Sequence, residues 1–398
     1  MPHAFVILGV LAALAGCVFS AVSTYDFVAH LDRQVHGLHC SFLPGVGGTD
    51  VGGESGCHVT MMSPYSSMLR TQLWGGLPIS LPAFAVFAFL LAWGVSIALS
   101  GRQRDPRATG LWALFSLVPL VASAVMGTIA LRELSAFCKL CVGIYVASVL
   151  LVLGAVVSYF QAERTAPREQ PEPLSRGALG VVCGIAFLFV GSATVAYALN
   201  APDFSRYAGT CGTLKKADDP QAILPLAGRR GGPVLLEVLD PLCPACRAFA
   251  ARLERHPMFE RADRKLLLFP LDDACNWMVD QAVHPGACAI SEAVLCAGDQ
   301  AEDVLAWAFG EQTKLIAEER AQKGSAARRV VAKFPALRGC VGSSKVRARL
   351  NRSLRFAVEN QLPVLTPQLY VDGTRLCDAD TDLGLDYMLT RLTARGKR

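Results

Sequence analysis

Five stretches of the chain are apolar at almost every position. They cover roughly residues 4–25, 77–100, 109–131, 138–160 and 177–200, and apart from Lys139 at the edge of the fourth they contain no Lys, Arg, Asp or Glu. A helix needs about 20 apolar residues to cross a bilayer, so all five read as membrane spans. The first lacks the basic flank of a cleaved leader and reads as a retained helix. Beyond residue 232 the pattern changes. "PVLLEVLD" reads as a buried strand, and "PLCPACRAFAARLERHP" as a tight turn into an amphipathic helix. "KLLLFPL" supplies a second strand, and "LPVLTPQLYVDGTRL" two more joined by an Asp372-Gly373 hairpin turn. The long stretch between them, beginning "DACNWMVDQAVHPGACAISEAVLCAG", reads as a helical insertion.

Composition agrees with a chain partly in lipid. Its 398 residues are 52% hydrophobic and only 18% charged, and the length allows two or three domains. The net charge of +5 is too small to point to nucleic acid. Its distribution says more. Arg102, Arg104 and Arg107 crowd the loop after the second span, and Arg164, Arg168 and Arg176 the loop after the fourth. Positive loops stay cytoplasmic. Five spans then put the N-terminus inside, the loop 26–76 outside, and everything after residue 200 outside.

Fourteen cysteines suit an oxidising compartment. Cys40 and Cys57 flank a glycine-rich linker in the outer loop, which predicts either a mobile dithiol or a static disulfide closing the loop. His39 and His58 adjoin them, but the spacing is not that of a zinc site, and no metal is expected. "HVTMMSPYSSMLRTQLWG" predicts a short amphipathic helix over the bundle. Cys138 and Cys141 form a Cys-x-x-Cys pair at the outer mouth of the fourth span, where the helix N-terminus and Lys139 favour a thiolate. A second pair, Cys243 and Cys246, follows a strand and opens a helix. This predicts an exposed Cys243 thiolate at the helix start and a buried, resolving Cys246. A structural disulfide is expected between Cys275 and Cys288. Cys340 and Cys377 form a further candidate pair, Cys211 and Cys296 have no assigned partner, and Cys17 and Cys183 read as inert residues within spans.

Two resemblances follow. Two loop cysteines, Ser63 six residues after the second, "GGLPISLPAF" opening the second span, and "CKLC" opening the fourth with Tyr145 four residues on resemble the bacterial branch of the vitamin K epoxide reductase family. The resemblance covers about residues 4–160. It implies a four-helix bundle in which Cys138 and Cys141 are the active-site pair beside a bound quinone, menaquinone or ubiquinone. It also implies that Cys40 and Cys57 are the shuttle pair, and that Ser63 and Tyr145 line the quinone pocket. Of the active-site pair, Cys141 is expected to engage the quinone and Cys138 to exchange with the loop. The soluble part resembles the thioredoxin superfamily, closest to DsbA-like periplasmic oxidoreductases, through Glu237 six residues before Cys243, "CPAC", and Thr366-Pro367 before a strand. That resemblance implies a cis-Pro367 beside the pair, presenting backbone to substrate, and a buried Glu237 that helps move protons.

The expected fold is therefore an all-α transmembrane bundle with a fifth linking helix, followed by an α/β thioredoxin-like domain with a helical insertion. The expected boundaries are 1–160 for the bundle with its periplasmic loop 26–76, 161–200 for the cytoplasmic loop and fifth helix, 201–232 for a linker, and 233–398 for the soluble domain. The expected activity is disulfide formation in reduced secreted or periplasmic proteins. Electrons pass to the quinone pool of a bacterial inner membrane, with lipid as surroundings and no nucleic acid. Disulfide reduction or isomerisation, vitamin K reduction, and redox sensing without turnover are the alternatives.

Overall fold

The computed structural model describes residues 2–32, 56–134, 138–165, 176–226, 228 and 231–395. Cys40, His39 and the glycine-rich linker lie outside the described residues. The chain divides into two compact units, the first ending at Pro202 and the second running from Asp203 to Arg398.

In the first unit, α1 (Pro2–Ala29) packs on α3 (Ser80–Leu99) and α5 (Lys139–Thr165), and α4 (Pro106–Ile129) packs on α5. A further helix, α6 (Arg176–Asn200), lies against α3. Among the described residues, five helices are long and apolar enough to cross a membrane, so this unit is a multi-pass membrane bundle. Small residues let the helices approach closely. A Cβ on Gly154 of α5 would lie 2.7 Å from the backbone nitrogen of Gly9 on α1. One on Gly16 would meet the Phe87 ring at 2.4 Å. Buried polar groups find partners across helices. Trp112 Nε1 donates to the Leu90 carbonyl at 3.0 Å, and the Ser123 and Ser148 hydroxyls lie 2.9 Å apart. Asp105 caps α4, accepting from the Arg107 amide at 2.9 Å, with Pro106 preset at the first turn.

The amphipathic helix expected between the first two spans is shorter than its sequence suggests. It is α2 (Gly56–Met62), and beyond it the chain turns into a small hairpin, β1 (Ser67–Met68) against β2 (Leu77–Pro78). Pro64 cannot extend the helix. Trp74 is buried inside the unit, its indole donating to the Leu31 carbonyl at 3.1 Å.

The second unit is a mixed α/β domain of thioredoxin-like topology. The described strands β3 (Leu224–Pro225), β4 (Val234–Leu239), β5 (Asp263–Leu268), β6 (Gln368–Val371) and β7 (Thr374–Arg375) lie in the order β3-β5-β4-β6-β7. β4 and β5 are parallel and are joined by α7 (Pro244–Leu253), while β6 runs antiparallel to β4. Asp372 and Gly373, both at positive φ, make the β6–β7 turn. Between β5 and β6 lie α8 (Ala287–Ala297), α9 (Ala301–Ala321), α10 (Ser325–Lys333) and α11 (Ser344–Glu359), and α12 (Leu385–Arg395) closes the domain. Leu236, Val238, Leu267 and Tyr370 of the sheet bury against Leu354, Phe356 and Ala357 of α11.

Disulfides join Cys275 to Cys288, Cys211 to Cys377 and Cys296 to Cys340. The expected Cys340–Cys377 pair is therefore not formed. Thr213 bridges Thr374 of β7, which brings Cys211 beside Cys377. Cys340 instead meets Cys296 at the end of α8.

Candidate functional site

Cys138 immediately precedes α5, and Cys141 lies in its first turn. The helix starts there because the Val142 amide donates to the Cys138 carbonyl at 3.0 Å. The Cys141 amide, one of the donors a helix start leaves unsatisfied, donates to Cys138 Sγ at 3.3 Å. Both cysteines are in the thiol form, whereas Cys57 on α2 is disulfide-bonded. Cys57, Cys138 and Leu140 form one buried cluster, with Phe19, Val22, Met61 and Cys141 packed against it.

This cluster borders a cavity of about 600 Å³ lined by residues of α1, α2, α3, α4 and α5. Its wall is mainly apolar. The polar groups reaching it include Cys57, Cys138, Cys141, Ser63, Tyr145 and Asp26. Tyr145 lies one turn beyond Cys141, near Gly127 of α4. Ser63 ends α2 and donates its hydroxyl to the Thr60 carbonyl at 2.7 Å, so it both terminates that helix and lines the cavity. The size falls within the range of small-molecule sites, roughly 300–1,000 Å³. An apolar chamber with a dithiol and hydroxyl side chains on its wall, Ser63 and Tyr145 among them, fits a quinone ring.

In the second unit, Cys243 is the N-cap of α7, Pro244 occupies the first helical position, and Cys246 is wholly buried one turn on. Cys243 is not exposed as the sequence suggests. It keeps only 5% of its surface. The loop before β6 comes close to it, with the Thr366 carbonyl 3.8 Å from Cys243 Sγ and the Thr366-Pro367 bond cis. The two thiols differ sharply. Hydrogen bonding from Cys246 outweighs burial and brings Cys243 down to about 7. Burial, with the neighbouring Cys243 sulfur, pushes Cys246 well up. A nucleophile and a resolving thiol need this asymmetry.

Glu237 is buried in the central strand β4, ion-paired to Arg264 at 3.1 Å. Burial raises its carboxyl to about 7 against the lowering effect of Arg264. The carboxylate whose field reaches both sulfurs is a different one. Asp240, fully buried at the end of β4, raises both Cys243 and Cys246. It accepts from the Leu242 amide at 2.8 Å and the Leu271 amide at 2.7 Å, and it contacts His284 Nδ1 at 2.8 Å. Gln312 of α9 holds the same turn, donating to the Cys243 carbonyl at 2.9 Å. Asp240 stands three residues before Cys243 and was open to notice in the sequence. His284 and Gln312 carried no local signal.

A dithiol beside an apolar chamber in a membrane bundle, and a second dithiol at a helix start in a thioredoxin-like domain, define a redox protein of the thiol–disulfide oxidoreductase class. Residues 7–156 match the model of the vitamin K epoxide reductase family. That segment holds Cys40, Cys57, Cys138 and Cys141 and stops short of α6 and the second unit. A linker-deletion mutant of Proteus mirabilis ScsC aligns at 15% identity over 57% of this chain and 100% of that one, with a TM-score of 0.29. No curated protein matches the chain.

Proposed function

We infer that the protein makes disulfides in exported proteins and is a quinone-dependent oxidoreductase of a bacterial inner membrane. The observation that carries this reading is the placement of Cys57, Cys138 and Cys141 on the wall of one apolar chamber. A client thiolate attacks Cys243 of the Cys243–Cys246 disulfide. A second client thiol then resolves the mixed disulfide, and two electrons and two protons stay on the pair. Cys243 and Cys246 next reduce the Cys40–Cys57 disulfide, which in turn reduces Cys138–Cys141. Fusion of the modules raises their effective concentration for one another. The last pair is reoxidised with loss of two electrons and two protons. A quinone, menaquinone or ubiquinone, supplies the two-electron acceptor when bound, with Cys141, Ser63 and Tyr145 holding its ring. Pro367 presents the backbone before β6 to the client chain, and Glu237 serves proton movement around the buried thiol. The arginine-bearing loops support a cytoplasmic N-terminus and a periplasmic second unit.

The test is reconstitution in lipid with a reduced, unfolded client and ubiquinone or menaquinone, following quinone absorbance against client thiol loss. Stoichiometric loss of both supports the reading, and no quinone reduction overturns it. The potential of the Cys243–Cys246 pair decides direction. A value near about −120 mV marks an oxidant, and one near about −270 mV a reductant.

A further inference from the structure

Asp240 poses a problem for the site as built. A fully buried carboxylate beside the N-cap of α7 opposes the Cys243 thiolate on which exchange depends. The Cys243 amide itself donates to the Asp240 carbonyl at 3.2 Å, so this acid and the reactive cysteine belong to one tight turn. The structure supplies a counter-charge from far along the chain. His284 Nδ1 lies 2.8 Å from Asp240 Oδ2, with 12% of the His284 side chain exposed. The backbone that carries the imidazole is anchored. The amides of Val283 and His284 donate to the Leu271 carbonyl at 2.9 and 3.1 Å, while the Leu271 amide donates to Asp240. The Cys275–Cys288 disulfide closes the segment that carries it.

We propose that His284 is a positioning residue for thiol exchange, neutralising Asp240 and setting a positive charge beside Cys243. The charged groups facing His284 are Asp240 from the end of β4, Cys243 at the start of α7, and Arg320 of α9. Glu319, next to Arg320, is turned away, accepting from the Gly324 and Ala326 amides. Burial and Arg320 disfavour the imidazolium, but the hydrogen bond to Asp240 and the charges of Asp240 and Cys243 outweigh them, leaving His284 above its ordinary value.

The chemical consequence falls on one step. In the mixed disulfide, the second client thiolate attacks the client sulfur, the client disulfide forms, and the S–S bond to Cys243 breaks. Cys243 leaves with the electron pair as a thiolate, and the imidazolium beside it lowers the cost of that departure. The inference rests on the exchange role given above to Cys243, and its test is independent of quinone.

The experiment uses the full reduced chain in detergent. Iodoacetamide labelling of the Cys243 peptide is followed by mass spectrometry across pH 5–9, together with equilibration of the pair against glutathione. His284→Gln is expected to slow labelling at pH 6 by about fivefold and to lower the potential by about 20 mV, that fivefold change converted at 29.6 mV per decade. His284→Lys, which keeps a charge, is expected to restore both. Asp240→Asn added to His284→Gln is expected to recover labelling, because the uncompensated carboxylate is then gone. Unchanged labelling in His284→Gln, or a double variant slower than His284→Gln alone, overturns the proposal. If the labelling pattern holds but quinone reduction by the wild-type chain is absent, the relay fails and the role of His284 stands.

Discussion

The Cys141 amide donates to Cys138 Sγ across 3.3 Å at the start of a membrane helix. The contact ties the pair to the end of α5, where unsatisfied amides stabilise negative charge. Cys138→Ser and Cys141→Ser are each expected to reduce quinone reduction by the reconstituted chain to background. Retained turnover in either, measured by quinone absorbance, removes the pair from the reading. Labelling of Cys243 in the same variants should be unchanged.

The bundle depends on a close approach of α1 and α5. A Cβ on Gly154 would lie 2.7 Å from Gly9 N and 2.8 Å from the Phe5 carbonyl oxygen, and neither backbone atom can rotate away. Gly154→Ala is expected to destabilise the bundle by about 1–3 kcal/mol, the usual cost of overpacking. Unfolding in mixed micelles checks this.

Glu237 makes the second unit sensitive to pH. Its folded carboxyl titrates at about 7 because it is buried, against an ordinary 4.5. The folded state therefore holds a proton that the unfolded chain lacks between those values. Stability should fall as pH rises through this window, by about 3 kcal/mol. Glu237→Gln is expected to flatten that dependence, and Arg264 keeps Glu302 at 3.1 Å as a partner. Hydrogen exchange of the β4 amides at pH 5 and pH 8 measures both.

The Cys275–Cys288 bond spans 13 residues and closes the segment bearing His284. Replacing both cysteines by serine is expected to cost about 2–3 kcal/mol, as for a loop of this length. Faster exchange of the Val283 and His284 amides, which donate to Leu271, is the local signature. If their exchange is unchanged, the disulfide does not hold that segment.

The fold was largely open to reading because its signals are local. An apolar run of bilayer length needs no distant partner to declare itself, and α3, α4, α5 and α6 follow from such runs. Strand, Cys-x-x-Cys and helix are contiguous, so β4 and α7 were legible, as was the Asp372-Gly373 turn. The site was legible as residue types and not as an assembly. Cys138, Cys141, Ser63 and Tyr145 could be listed from the sequence, but the chamber they share exists only once α1, α2, α3, α4 and α5 pack together.

The sequence by itself determined where the chain enters lipid, where its dithiols stand, and which of them open helices, since each property is written within about 20 neighbouring residues. Tertiary structure alone decided the pairing of Cys211 with Cys377 and of Cys296 with Cys340, the burial of Cys243 near the Thr366-Pro367 loop, and the meeting of Asp240 with His284. Those contacts join residues 44 to 166 positions apart. Hydrogen bonds, ion pairs and disulfides depend on distance in space, and no local pattern of apolar and polar residues encodes that distance.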